Sequence, residues 1–311
     1  MIRLLFFVCL LSSSLGASAS PITQPERYQL SIAAIFHNES RFLEEWLLFH
    51  LCQGVDHFYL FDNGSKDDYE SVLRPYIDKG IVELHAWPAQ GSSHAEWKRI
   101  QWSCYDQALK LARGQSHWLA LIDTDEFVFA TKSGSLREAL RDYEAHGGVV
   151  IYWQCYGTSH VRELQPSQFL VEEMSWCARK DHPMNRWYKT IAQPKRVARA
   201  KDAHSVEYKK GYHAVYDDGS RAKKPEEAHM LPVRISKLRI NHYWSRDEKF
   251  VAEEKRGRYL LWSDELHVQL ESKLKGLQAR QDPLLYPYGE KMRCYKEKLF
   301  GKALSVEPIV R

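Results

Sequence analysis

From Tyr28 onward the chain alternates short apolar runs with polar clusters and amphipathic stretches. YQLSIAAIF (28–36) is β-rich and ends in His37-Asn38-Glu39-Ser40. RFLEEWLLFHLCQG follows, with Leu43, Trp46, Leu47, His50 and Leu51 on one face at helical spacing and Gly54 as a stop. HFYLF (57–61) ends in Asp62-Asn63-Gly64-Ser65-Lys66-Asp67-Asp68, where Asn-Gly supplies a tight turn and Ser65 or Asp67 can cap a helix reaching about Tyr76. Residues 81–86 predict a third strand, and a helix opened by Ser92 extends to about Ala112. Trp118 to Ile122 is continuously apolar, as a strand covered on both faces requires, and it ends in Asp123-Thr124-Asp125-Glu126. Alternation at this spacing predicts an α/β fold with a mainly parallel central sheet and helices on both faces.

Parallel strands bring the loops after their C-terminal ends to one edge, where open α/β sheets bind ligands. One polar loop there is turn and capping chemistry. Three in succession, HNES, FDNGSKDD and DTDE, predict a binding crevice. Asp123 and Asp125, just off the fourth strand, are the expected ligands of a hard cation, Mn²⁺ or Mg²⁺, that leaves positions for a substrate's phosphates. Glu126 is expected behind them as an acceptor or ion-pair partner.

After Phe129 the pattern changes. Ser135 is expected to cap a helix to about His146, Gly147-Gly148 to break it, and VVIYWQCY (149–156) to form a strand. Past Thr158 the elements shorten, and Pro, Trp, His and basic residues intersperse. The basic stretch from Lys195 to Lys210 is broken by apolar residues and predicts a solvated strand and turn. These features predict one domain over 28–260, with a nucleotide-binding half at 28–130 and an acceptor-side half at 131–260. A helical or irregular extension follows at 261–311.

Composition sharpens the picture mainly at the N-terminus. A chain of 311 residues, 44% hydrophobic and 13% aromatic, is globular, and a net charge of +4 is too mild to imply nucleic acid. Arg3, the apolar run from Leu4 to Leu11 and Ala17-Ser18-Ala19 predict a cleaved signal peptide at 1–19 and a short linker at 20–27. Export to a lumenal, periplasmic or extracellular compartment follows. The alternative is an uncleaved N-terminal anchor, the one membrane contact expected, since no later stretch is apolar enough to span a bilayer. Beyond Cys9, five cysteines remain, an odd number without a Cys-x-x-Cys pair for zinc; isolated thiols are expected, with one or two disulfides left open.

The ordered set NES-x3-EEW-x3-H-x3-GVDHFYLFDN-x-S-x-D, then W-x3-IDTDEF, resembles glycosyltransferase family 92 and the related family 2-like proteins. The likeness continues through Lys189-Thr-Ile-Ala-Gln-Pro194, His204, Asn241-His242-Tyr243, Phe250 and Lys255-Arg256-Gly257, and it spans roughly residues 30–258. It implies a GT-A fold and a metal-dependent transfer of a sugar, galactose first, from a nucleotide-sugar donor, UDP-linked first, to a glycan or other hydroxyl acceptor. It also implies that Asp123 and Asp125 form the Asp-x-Asp metal motif, completed by His242 or, in its place, His204. Asn38, Glu39, Asp62 and Asn63 are the implied contacts to base or ribose, and Asp123, Lys189 and Arg256 those to the diphosphate. For an inverting reaction a carboxylate must take the acceptor's proton, and Glu172 or Glu173 stands at about the right place in the chain. Two other readings stay open: a catalytically silent glycan-binding protein on the same fold, and a metal-dependent phosphoester hydrolase.

Overall fold

A computed structural model describes residues 25–89, 91, 93–222, 225–257 and 270–301. The expected signal peptide, Cys9 and the helix start at Ser92 lie outside the described residues, as does the linker up to residue 24. The first elements follow in the predicted order: β1 (Tyr28–Phe36), α1 (Ser40–Cys52), β2 (His57–Asp62), α2 (Tyr69–Asp78), β3 (Val82–Ala86), α3 (His94–Ala112) and β4 (Ser116–Leu121). Ser93 caps α3, its hydroxyl accepting the Glu96 amide. β1 pairs in parallel with β2 and β4, and β2 with β3, so Phe36, Asp62 and Ala86 lie level and the exit of β4 opens at the same edge.

Beyond β4 the sheet mixes directions. The chain turns through residues 122–125 into β5 (Glu126–Ala130), a strand the sequence pattern does not predict. α4 (Leu136–Ala139) is one turn continued by a 3₁₀ turn to Tyr143, shorter than the predicted helix to His146, and β6 (Gly148–Cys155) follows. After α5 (Leu170–Glu173) and β7 (Trp176–Cys177), β8 (Tyr188–Ala192) inserts antiparallel between β4 and β6. β9 (Val197–Ala200) and β10 (Val206–Tyr208) form a ribbon, the expected strand and turn, while β11 (Ala214–Val215) and β12 (Arg221–Ala222) extend the far edge. β13 (Leu238–His242) runs antiparallel to β5 and parallel to β6. α6 (Glu248–Phe250) continues as a π turn over Val251–Lys255, β14 (Arg280–Gln281) pairs with β7, and α7 (Tyr288–Phe300) packs on α1. Ten of these strands form one sheet to which both 28–130 and 131–260 contribute.

From Leu30 onward β1 is buried because both of its faces are covered, and its one polar residue there, Ser31, hydrogen-bonds Ser116. Leu30, Ile32 and Ala34 meet Trp46, Leu47 and Phe49 of α1, whereas Ala33 and Ile35 meet Tyr105 and Ala108 of α3. Each fully buried Leu, Ile or Phe side chain contributes about 1.5–3 kcal/mol. α1 also fixes the turn after β4. The Trp46 indole N–H donates to the Glu126 carbonyl at 2.9 Å, and the Val128 amide donates to His50 Nε2 at 3.2 Å. His50 Nδ1–H donates to the Trp46 carbonyl at 2.8 Å, and burial holds the ring neutral with a pKa of about 3.

Among the described residues no helix is long and apolar enough to cross a membrane. Cys52, Cys104, Cys155, Cys177 and Cys294 are free thiols, the last of them exposed.

Candidate active site

The Asp-Thr-Asp-Glu segment is a tight turn. The Glu126 amide donates to the Asp123 carbonyl at 3.1 Å, and the Asp123 amide donates back to Glu126 Oε2 at 3.0 Å. The turn thereby splits its acids between two neighbourhoods. Asp123 faces β8 and α3: its Oδ1 accepts from Gln101 Nε2 at 2.6 Å and Tyr105 Oη at 2.8 Å, and its Oδ2 lies 3.0 Å from Lys189 Nζ. Lys189, on the strand antiparallel to β4, is buried and lies 3.8 Å from Glu126 Oε2, with the Ala203 carbonyl accepting from it at 3.2 Å. Burial disfavours its charge, but Asp123 and Glu126 outweigh that and raise its pKa. Glu126 shows the opposite balance. Burial pushes its carboxyl well above the ordinary value, Lys189 opposes this, and Asp123 and Asp125 reinforce it.

Asp125 faces β13 and the segment after it. Its carbonyl accepts the Tyr243 amide at 2.9 Å; its Oδ1 lies 3.3 Å from His242 Nε2 and its Oδ2 3.7 Å from Lys255 Nζ. Burial opposes ionisation, yet His242, Lys255 and Arg246 hold the Asp125 carboxyl well below the ordinary range. Arg246 is 1% exposed, sits at φ 50°, packs between the Phe42 and Phe250 rings and pairs with Glu39. Burial raises the Glu39 carboxyl and Arg246 opposes that rise. The first strand-end loop thus reaches Asp125 through Glu39 and Arg246.

The predicted site residues separate accordingly. Glu39, Asp123, Asp125, Lys189 and His242 all enter the charged contacts around the acid turn at the sheet edge. Asn38, Asp62 and Asn63 instead knit the first two loops. Asn38 Oδ1 accepts the Lys66 amide at 2.8 Å, Asp62 Oδ1 accepts the Ser65 amide at 2.9 Å, and Asn63 Nδ2 donates to the Trp87 and Ala89 carbonyls at 2.7 and 2.8 Å. Their surroundings are those of turn-building groups. Arg256 pairs with Glu271 at 2.9 Å, and the neighbouring Lys255 turns to the acids instead. Both oxygens of Glu172 accept from Arg293 of α7, at 2.8 and 2.5 Å, and Glu173 accepts from Gln168 at 2.9 Å, contacts that do not join either to the acid turn. His204 Nδ1–H donates to the Tyr188 carbonyl at 2.8 Å, while burial and the Lys189 charge lower its pKa to about 4. It stands behind Lys189 rather than beside Asp125. Arg246, Lys255, Gln101 and Tyr105 are absent from the sequence prediction; for Lys255 the Lys-Arg-Gly segment was the available signal.

The donor set bears on whether a hard cation fits. Among the described residues no three His, Cys, Asp or Glu side chains converge as a self-contained cage. Asp125 and His242 do lie side by side, and His242 Nδ1 is buried without a hydrogen bond among the described residues. Two protein donors fit an ion that takes its remaining oxygens from a ligand. Asp123 fits less well, since Gln101, Tyr105 and Lys189 already occupy its carboxylate.

A family model described as glycosyltransferase family 92 matches residues 26–268. A family 92 protein of Ricinus communis is 31% identical over 124 residues, covering 40% of this chain and 21% of that protein. One of Oryza sativa subsp. japonica is 29% identical over 141 residues, covering 42% and 23%. The matched stretch is under a quarter of each relative's length. Two solved structures are also similar, both loosely. S. aureus TarS 1–349 in complex with UDP aligns over 90% of this chain and 76% of its own at 12% identity and a TM-score of 0.36. Glucosyl-3-phosphoglycerate synthase from Mycobacterium tuberculosis aligns over 55% and 58% at 15% identity and a TM-score of 0.29.

Proposed function

The chain belongs to glycosyltransferase family 92, and on that premise we propose that it transfers a sugar from a UDP-linked donor to a hydroxyl of a glycan acceptor, with inversion, at a GT-A-type sheet edge. Galactose is the sugar to try first, and the secretory pathway is the compartment in this reading. The observation that supports it most is the charged cluster at the sheet edge: a buried, ionised Asp125 beside His242, with Arg246 and Lys255 close by. Breaking the anomeric bond builds negative charge on the leaving diphosphate, and preorganised cations in a desolvated site stabilise such charge best. Arg246 Nε and Nη1 make no hydrogen bond among the described residues, so this side chain still has donors to offer phosphate oxygens. Lys189, 3.0 Å from Asp123 Oδ2, fixes that carboxylate in place, and Glu39 orients Arg246. Mn²⁺ or Mg²⁺ held by Asp125 and His242 would act as a Lewis acid on the diphosphate.

A thermal-shift screen of UDP-galactose, UDP-glucose and UDP-N-acetylglucosamine, with Mn²⁺ and with chelator, tests this. A bound donor at a hundredfold excess over Kd stabilises by about 2.7 kcal/mol. The expected result is a metal-dependent rise with one donor that Asp125→Asn abolishes, each shift being measured from that protein's own unliganded midpoint. Equal shifts under chelation would overturn the metal and leave the charge to Lys255 and Arg246. No shift with any donor, together with no acceptor-dependent UDP release, would overturn the transferase.

A further inference from the structure

A groove of about 770 Å³ carries Arg179, Lys180, Arg186 and Arg280 in its lining against one acid, Asp181. Arg179 meets Asp181 at 3.6 Å, and Arg280 meets Gln154 at 3.0 Å and Asp282 at 3.3 Å. Among the described residues no carboxylate pairs with Lys180 or Arg186. The remaining lining is apolar and open, with Met230 67% and Leu231 37% exposed.

An aromatic row runs from the acids outward to Trp187, next in the chain to Arg186 of the groove. The His242 ring, beside Asp125, lies 4.2 Å from Trp153; the Trp153 and Trp187 rings are 6.5 Å apart, and His204 lies 5.0 Å from Trp187. At the outer end Trp187 stacks on His229 at 5.4 Å with 15° between the planes, yet stays 41% exposed. Row and groove adjoin along the chain at the outer end: Arg186 precedes Trp187, and Met230 follows His229.

We infer that the groove and the exposed Trp187 at the row's outer end form the track that binds the acceptor of the transferase proposed above, on which this inference rests, and that the acceptor is an anionic glycan bearing carboxylate or sulfate groups. The apolar C–H face of a sugar ring packs on an exposed indole. Guanidinium forks suit carboxylate and sulfate oxygens, and an excess of one sign along a groove selects the opposite charge. A neutral glycan would leave Lys180 and Arg186 unanswered, and an acidic peptide would not answer the indole's flat face.

Binding to the full-length protein, followed by tryptophan quenching and calorimetry at physiological ionic strength, tests this with three probes of equal length: hexagalacturonate, a chondroitin sulfate hexasaccharide and maltohexaose. At least one anionic probe is expected to bind about tenfold more tightly than maltohexaose, and the two arms separate carboxylate from sulfate recognition. Lys180→Ala/Arg186→Ala removes two exposed ion-pair partners and is expected to weaken the preferred anionic probe about tenfold, leaving maltohexaose unchanged. Trp187→Ala is expected to weaken every probe that binds, and Arg74→Ala on α2 none. Equal affinity for charged and neutral probes, or an equal loss with Arg74→Ala, would overturn the track. A flat donor screen alongside intact anionic binding would sink the transferase and spare the track, whereas acceptor-dependent UDP release without anionic preference would sink the track alone.

Discussion

Replacing Lys189 with Met removes the ammonium and keeps an unbranched stem in about the same volume, so packing around β8 changes little. Two carboxylates are left behind. Asp123 keeps its bonds from Gln101 and Tyr105, at 2.6 and 2.8 Å, and its side chain is 31% open to solvent. Glu126 is fully buried, its Oε2 accepts the Asp123 amide at 3.0 Å, and its Oε1 makes no hydrogen bond among the described residues. The cost therefore falls on Glu126. Breaking a buried pair from one side costs about 3–5 kcal/mol, and with Asp123 still satisfied the lower end, about 3 kcal/mol, is expected at neutral pH.

Glu126 can relieve that cost by taking up a proton. Burial already raises its pKa above the ordinary value of 4.5, and loss of the lysine raises it further. A carboxyl whose folded pKa is raised stabilises the fold fully below its unfolded pKa and loses that contribution as pH climbs to the folded value. Lys189→Met should therefore lie closest to wild type near pH 4.5 and fall progressively behind it toward pH 8. Urea unfolding followed by tryptophan fluorescence at both ends of that range gives the measurement, with Glu126→Gln and the double variant closing the cycle. A coupling of about 2 kcal/mol at pH 8 is expected, because a neutral amide at position 126 no longer needs the ammonium. An additive double variant, or a single-variant cost below about 1 kcal/mol at pH 8, would refute the charge accounting.

Two further substitutions probe the frame. Both Glu45 oxygens accept amides at the start of α5, from Leu170 at 2.8 Å and Val171 at 3.0 Å, while burial pushes the carboxyl from 4.5 to about 8. Its stabilising share is complete below pH 4.5 and declines by up to about 1.4 kcal/mol per pH unit toward pH 8, so Glu45→Gln should flatten the wild-type decline in urea midpoint, and parallel curves would refute the shift. A Cβ on Gly148 would lie 2.8 Å from the Ile191 carbonyl oxygen and against the Tyr208 side chain; Gly148→Ala should cost about 1–3 kcal/mol through forced separation of β6 and β8, and an unchanged midpoint would refute the close approach.

The parts of the fold legible in the sequence are those whose residues answer to their immediate neighbours. β1, β2 and β4 read as strands because each is apolar on both faces, and their parallel order places three polar loops on one edge. β8 is harder to read, since Tyr188–Ala192 carries a lysine in a buried strand, and that lysine is tolerated only because Asp123 and Glu126 arrive from elsewhere in the chain. β5 is not legible because the apolar residues Phe127 to Phe129 that follow the acidic turn are too few to mark a strand by themselves. At the site the same limit applies to function. Asn, Asp and Ser serve turns and ligands alike, so Asn38 and Asp62 satisfy both patterns until their partners are seen to be loop amides. Adjacent helical residues point about 100° apart, so Lys255 and Arg256 are told apart only by the phase of the π turn that carries them. Arg246, at positive φ between two rings, belongs to no periodicity. The pairings that set the crevice's charge, Asp123 with Lys189, Asp125 with His242 and Lys255, and Glu39 with Arg246, each join residues far apart in the chain. Residue type therefore announces the chemistry available at the sheet edge, and strand order decides which cations each acid meets, Lys189 for Asp123 and His242 with Lys255 for Asp125.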